Sequence, residues 1–195
     1  MKKDIILAGV GGQGILSIAA IIGSAALDMG LYLKQSEVHG MAQRGGDVSS
    51  NLRIGDVEIA SDLIAKGKAD IVISVEPMEG LRYLPMLSSE GWLITNSTPF
   101  KNIPNYPDLD GIYAEIAKVH RHVMIDAEGI AKELGTAKAA NVVILGAASA
   151  HLGLSFESLE NAIRRIFGKK GNAVVELNIN ALKAGRDFAE KNSHL

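Results

Sequence analysis

The first stretch of this chain able to hold a ligand is Gly9-Val10-Gly11-Gly12-Gln13-Gly14. It satisfies G-x-G-x-x-G, follows an apolar run at residues 5–8 directly, and opens a helical pattern. Glycines in that setting permit a tight turn and close backbone approach, and the helix start offers free N–H groups to a phosphate. A dinucleotide site also asks for an acidic residue about 20 positions further on, at the end of the second strand. Glu37 meets that spacing. The competing reading is a turn whose glycines serve only helix–sheet packing.

A second cluster runs from Ser36 to Gly46. It gathers a carboxylate (Glu37), an imidazole (His39), an amide (Gln43) and a guanidinium (Arg44) ahead of Gly45-Gly46. In open α/β sheets, ligands collect at the C-terminal ends of strands, where this loop is expected. A guanidinium grips phosphate or carboxylate in a bidentate way. The alternative is a solvated polar loop. A third set, Ser49, Asn51 and Arg53, alternates with apolar residues. Asn51 and Arg53 are candidate site-lining groups, although an ordinary wet face of an antiparallel pair explains the pattern more simply. Other features are weaker. His120 and His122 lack a third metal ligand, Lys169-Lys170-Gly171 reads as a solvated turn able to touch a phosphate, and Glu76 complements a helix start. Trp92 reads as core. G-x-S-x-G, Walker A and H-E-x-x-H patterns are absent.

The elements that must position these groups follow from periodicity. Short runs at 5–8, 70–75, 91–96 and 122–125 read as strands, several of them buried on both faces, and 31–38 reads as a second strand. Helical patterns cover 12–29, 77–88, 111–119, 127–134, 139–152, 155–167 and about 176–190. The first helix is apolar almost all round, so a sheet alone cannot cover it; a second helix layer or another subunit is required. Val48–Ile54 and Val57–Ile59 flank Gly55-Asp56, which predicts a hairpin over 47–60. The expected architecture is α/β and Rossmann-like: a mixed, mainly parallel sheet with a β-hairpin insertion after strand two and a helical C-terminal third. No linker or repeat divides the 195 residues, so a single domain over 1–195 is expected.

Composition narrows the chemistry. Twenty Lys+Arg against 22 Asp+Glu give a net charge of −2, which argues against nucleic acid as a partner. With no cysteine, the chain cannot form disulfides, offer a thiolate nucleophile or ligate an iron–sulfur cluster through its own thiolates. The apolar run at 15–27 is interrupted by Ser17, Gly23 and Ser24 and is too short for a membrane span. Lys2-Lys3 precedes an apolar stretch, but no small-residue cleavage pattern follows, so a cytoplasmic location is expected.

Three stretches carry a family resemblance. Ala8–Gly14, the loop Glu37–Gly46, and the set Asp126-Ala127, Ala131, Leu134-Gly135, Asn141, Leu145-Gly146 and Asn178 together resemble the gamma-type subunits or domains of the 2-oxoacid:ferredoxin oxidoreductases. The loop is similar to that of the indolepyruvate branch, whereas the pyruvate and 2-oxoglutarate branches carry a Ser-Tyr-Gly-Pro-Glu type stretch before the shared Arg-Gly-Gly. The resemblance implies a non-redox accessory subunit of an enzyme that oxidatively decarboxylates aryl pyruvates to acyl-coenzyme A. A large alpha subunit would carry thiamine diphosphate, magnesium and iron–sulfur clusters and pass electrons to ferredoxin, with coenzyme A as co-substrate. No catalytic residue is expected on this chain. Gly46-Asp47-Val48 and Gly55-Asp56-Val57 lack the family's thiamine diphosphate pattern, consistent with chemistry on the partner. The ligand candidates are then Gly9, Gly11, Gly12, Gln13, Gly14, Arg44, Gly45 and Gly46, lining a coenzyme A or phosphate path; Ser36, Glu37, His39, Gln43, Asn51 and Arg53 are possible neighbours. Three alternatives stay open: a gamma subunit of a pyruvate or 2-oxoglutarate enzyme, a stand-alone nicotinamide- or flavin-binding protein, and a small-ligand sensor or interaction domain without enzymatic involvement.

Overall fold

The computed structural model describes residues 1–40 and 45–192. Among the described residues, six strands form one sheet: β1 (Lys2–Val10), β2 (Tyr32–His39), β3 (Asp47–Gly55), β4 (Ala69–Ser74), β5 (Leu87–Asn96) and β6 (His122–Ile125). Their spatial order is β2-β3-β1-β4-β5-β6. β1, β4, β5 and β6 run parallel, while β3 is antiparallel to both β1 and β2. The α-helices of the described residues are α1 (Ile15–Asp28), α2 (Pro77–Arg82), α3 (Leu109–Ala117), α4 (Ala127–Glu133), α5 (Ala140–Ala148), α6 (Phe156–Phe167) and α7 (Asn172–Asn192). The expected α/β class and mixed, mainly parallel sheet are present.

The hairpin is present but differently placed. Its two arms are β2 and β3, and Val57–Ile59 is not a strand. The alternation in 48–54 is satisfied on both sides, by β1 and by β2, so β3 has no free edge to offer a further strand. Gly55-Asp56 instead turns the chain onto the N-terminus: the Asp56 N–H donates to the Met1 carbonyl at 3.0 Å, and the Met1 ammonium pairs with the Asp56 carboxylate. β3 is consequently wedged between β1 and β2.

Two apolar clusters cover the two sheet faces. One joins Ile5, Leu7, Leu52, Ile71, Ile73 and Ile94 to residues of α1, α5, α6 and α7. The other joins Ile6, Val72 and Leu93 to Ile112 and Ile116 of α3. The all-round apolar α1 finds its second cover within the chain, from α6. Arg165 on α6 reinforces that contact, donating to Ser24 at 2.8 Å and to the Asp28 carboxylate at 2.7 Å. Ser155 caps α6 by accepting from the Ser158 N–H at 3.1 Å, as its sequence suggests. α5 and α7 cross so closely that a Cβ on Gly146 would collide with the Leu182 carbonyl, and one on Gly185 with that of Val143.

Candidate functional site

The site forms at the carboxyl edge of the parallel strands. From β1 the chain passes to one face through α1; from β4 it passes to the other through α2. That divergence opens a crevice between β1 and β4, the topological position where ligands bind in open α/β sheets.

The glycine turn after β1 is held from three directions. The Gln13 side chain accepts from the Val10 N–H at 2.8 Å and donates to the Val75 carbonyl at 3.4 Å, stapling the turn to the end of β4. Gly9 has no room for a side chain, because a Cβ would strike Val75. Gly12 and Gly14 have φ of +102° and +84°, backbone angles that favour glycine. Around Gly12 the space is open, whereas Gly14 abuts Asn141, whose amide donates to the Gly14 carbonyl at 3.0 Å.

The second glycine stretch reaches this turn directly. The Gly11 N–H donates to the Gly46 carbonyl at 2.9 Å, and the Gly45 N–H donates to the Gly11 carbonyl at 3.4 Å. Asn102 also donates to the Gly45 carbonyl. The two glycine-rich segments, more than thirty positions apart in sequence, therefore meet. Gln43 and Arg44 lie outside the described residues. Glu37 and His39 border the same turn in a small cleft of about 280 Å³ that also includes Gly11, Gly12 and Leu16. Glu37 Oε1 lies 3.3 Å from His39 Nε2, close enough to attract an imidazolium but outside hydrogen-bond geometry.

Ser36, Asn51 and Arg53 do not border this cleft. Asn51 donates to the Ser36 hydroxyl at 3.4 Å and accepts from the Ile64 N–H at 3.4 Å. Arg53 grips the buried Asp4 carboxylate at 2.8 and 3.2 Å, and donates to the Ser61 and Leu63 carbonyls at 2.9 and 3.0 Å. Burial works against an ionised Asp4, but Arg53 and Lys2 outweigh it and hold its carboxyl below the usual value. These residues fasten the segment after β3 to the sheet. Strand order also bears on the nicotinamide alternative. In a dinucleotide fold the acidic residue ends a strand next to β1; here β3 intervenes, setting Glu37 two strand spacings away, about 10 Å.

The larger cavity lies on the α1/α5/α7 face and measures about 740 Å³. Gly12, Gln13 and Gly14 form one wall, and the segment 136–141 with the start of α7 forms the other. Gly45 and Gly46 do not line it. Thr136 caps the 3₁₀ turn at Ala137–Ala139 by accepting from the Lys138 N–H at 3.3 Å, and so presents Lys138 at the rim. Of the polar wall residues, Asn141 and Asn178 are among those carrying the family resemblance, whereas Asn96, Thr136 and Lys138 belong to no motif. The faint sequence signal was the Lys169-Lys170-Gly171 turn, whose Lys170 does reach this cavity.

On the α2/α3 face the same sheet edge is closed. Glu76 is fully buried and caps α2: its carboxylate accepts from the Glu79 N–H at 2.9 Å, the Phe100 N–H at 3.3 Å and the Tyr106 hydroxyl at 2.5 Å. Burial, with Glu76 beside it, pushes the Tyr106 hydroxyl far above its ordinary pKa. Burial also raises the Glu79 carboxyl, opposed by its 2.7 Å contact with Arg82 and reinforced by Asp47. Asp47 accepts from the Tyr83 hydroxyl at 3.1 Å, which anchors the end of the second glycine loop.

Among the described residues no cluster of three His, Asp or Glu side chains is arranged for a metal, and no helix is long and apolar enough to cross a membrane. The chain offers no thiolate for an iron–sulfur cluster.

Known proteins share this arrangement. A sequence profile for pyruvate ferredoxin/flavodoxin oxidoreductases matches residues 4–188. Indolepyruvate oxidoreductase subunit IorB of Archaeoglobus fulgidus is 41% identical, over 97% of this chain and 96% of the relative. The subunit of that name from Methanothermobacter thermautotrophicus is 38% identical, over 95% of this chain and 96% of the relative. Among solved structures, the gamma subunit of a keto/oxoacid ferredoxin oxidoreductase from Geobacter sulfurreducens superposes with a TM-score of 0.73 at 26% identity, covering 97% of this chain and 99% of that one. A 2-oxoglutarate:ferredoxin oxidoreductase from Magnetococcus marinus, solved with 2-oxoglutarate, coenzyme A and succinyl-CoA, shares the fold with a TM-score of 0.79 at 22% identity, covering 100% of this chain and 32% of that one. The glycine turn after β1, the inserted β3 and the helical C-terminal third all fall within the matched span, and the chain belongs to the pyruvate ferredoxin/flavodoxin oxidoreductase family.

Proposed function

We propose that this chain is the non-redox accessory subunit of an indolepyruvate-type 2-oxoacid:ferredoxin oxidoreductase. A larger partner holds thiamine diphosphate with magnesium and the iron–sulfur clusters, ferredoxin takes the electrons, and coenzyme A takes the acyl group. The observation that carries this reading is the near full-length likeness to subunits named for indolepyruvate oxidoreductase, at 41% and 38% identity. The 2-oxoglutarate synthase subunit of Methanothermobacter marburgensis is less similar at 31%, which favours the aryl-pyruvate branch. The absence of cysteine supports placing the clusters elsewhere.

This chain's own contribution is shape and charge. The Gly9–Gly14 turn lets backbone approach a ligand at the start of α1, where the helix dipole favours an anion. Gly45 and Gly46 buttress that turn through Gly11. Arg44 enters the proposal on its sequence position alone as an added anion ligand, as does Gln43 as a possible neighbour, while Glu37 and His39 border the glycine turn.

The test is anaerobic purification of the tagged chain from its native cell, followed by ferredoxin reduction assays. The expected result is a brown, larger partner containing thiamine diphosphate, with coenzyme A-dependent turnover highest for indolepyruvate. A solitary chain, or turnover by the isolated chain, overturns the proposal; a preference for 2-oxoglutarate moves it to the neighbouring branch.

A further inference from the structure

The sheet ends at β2, and among the described residues no strand lies on its outer side. A free edge presents unpaired N–H and C=O groups, and chains that stay single guard it with proline, a bulge or an outward lysine. β2 carries none of these guards. Its eight residues include no proline. Its register against β3 runs from Tyr32–Gly55 to His39–Val48 without a shift. Its one lysine, Lys34, turns back to donate to the Ala60 carbonyl at 3.1 Å. On the same face as Lys34, by the alternation of a strand, lie Tyr32 and Val38, which are 51% and 62% exposed.

The opposite face of β2 meets α1. A Cβ on Gly23 would lie 3.1 Å from the Leu33 side chain. Leu16, Ala20, Gly23 and Leu27 follow one another at i, i+4, i+7 and i+11, which makes them one stripe of the helix. The stripe therefore runs along the flank of α1 that borders β2. Leu16, Ala20 and Leu27 are exposed, the two leucines by 52% and 60%. α6 leaves them free, because Arg165 reaches Ser24 and Asp28 on the neighbouring flank. An apolar stripe without a charge thus lies beside an unguarded strand edge.

We propose that β2 pairs antiparallel with β2 of a second copy of this chain, joining two sheets into one and bringing the two α1 stripes together. Charge selects this occupant. β2 carries one lysine, Lys34, and one acid, Glu37. A twofold axis normal to the sheet must pass through a residue, since residues facing each other across strands share a face. An axis through Lys34 or Glu37 would oppose like charges directly, which is destabilising. An axis through Gln35 sets Lys34 against Ser36 of the copy and Glu37 against Leu33. It also sets each exposed Tyr32 against an exposed Val38, an aromatic and β-branched pair of the kind that stabilises sheets, and does so twice. Such an axis keeps each sheet face on its own side, so both α1 helices lie together and each stripe covers the other. This interface is independent of which 2-oxo acid the complex takes.

The test uses the full chain, alone and in the purified complex. By analytical ultracentrifugation the wild-type chain is expected to sediment with twice the mass of one copy. L27E/V38E changes two exposed positions. It sets uncompensated carboxylates into an apolar contact and is expected to raise the dimer dissociation constant by about 100-fold or more, with an unchanged circular dichroism spectrum. Because the chain has no cysteine, Q35C supplies a single thiol per copy. The axis places the two thiol positions about 5 Å apart, so mild oxidation or a short bis-maleimide should link the copies, whereas K118C on the exposed end of α3 should not. A wild-type chain that is monomeric alone and present once per complex overturns the proposal. So does a dimer that L27E/V38E leaves intact, or a Q35C that links no better than K118C. Loss of the larger partner from L27E/V38E, with the pair of copies preserved, also overturns it and gives this edge to that subunit. Should L27E/V38E fail to fold, the Q35C link still decides.

Discussion

The two faces of one sheet edge handle polar groups in opposite ways. On the α2/α3 face, the fully buried Glu76 has three donors and the nearly buried Glu79 has Arg82. Both carboxylates are thereby satisfied within the protein. On the α1/α5/α7 face, amides secure the walls while two ammonium groups, those of Lys138 and Lys170, remain outside any ion pair among the described residues. A buried carboxylate is thus a weak guide to function when its lone pairs are satisfied, because satisfaction is what allows it to be buried. Ligand chemistry concentrates where close backbone approach meets charge that the fold has not neutralised.

Three experiments break or sharpen this contrast. The largest effect is expected from Gly185→Ala. The added Cβ meets the Val143 carbonyl, a backbone atom that cannot rotate away, so α5 and α7 must separate. A loss of about 3 kcal/mol in urea unfolding is expected, together with a deformed cavity, since α7 carries Val174 and Leu177 of its wall. Wild-type stability would mean that the crossing yields more easily than its geometry implies.

The next effect comes from Glu76→Ala, which strands the Phe100 N–H and the Tyr106 hydroxyl and uncaps α2. A loss of about 2–3 kcal/mol is expected, with the coenzyme A KM of the complex changed by no more than about twofold, within the range of a surface substitution. A much larger KM change would show that the closed face also governs the open one.

The smallest effect lies at the amino edge. Trp92, the single tryptophan, stacks on His151 with ring centres 4.0 Å apart. Burial, helped by Lys3, lowers the His151 pKa from 6.5. A base depressed in the folded state stays neutral at pH 7, and its protonation opposes folding as pH falls below the unfolded value. Tryptophan emission should therefore change with a midpoint below pH 6.5, and His151→Gln should abolish that change. Coenzyme A bound at the opposite edge should leave the titration unmoved; a shift would couple the two ends of the sheet.

Much of this molecule was legible from local pattern. The strand at His122–Ile125, the helix start at Ser155 and the cap at Glu76 stand where the sequence indicates. The glycine turn was legible too, because its residue types answer to backbone angles that neighbours alone impose. The hairpin was not, since alternation over 48–54 says that both faces are used differently but not which strands lie alongside.

What residue order alone determined here is where most helices and strands occur, where several of them begin, and that no iron–sulfur cluster can be ligated by this chain's thiolates. Periodicity, caps and composition are short-range properties, and they are readable without partners. Tertiary structure alone decided that β3 separates β1 from β2, that Arg53 is held by Asp4, and that Lys138 and Lys170 face the glycine turn across one cavity. Those outcomes depend on which distant segments share a layer. Packing of the whole apolar core selects that, and no local pattern encodes it.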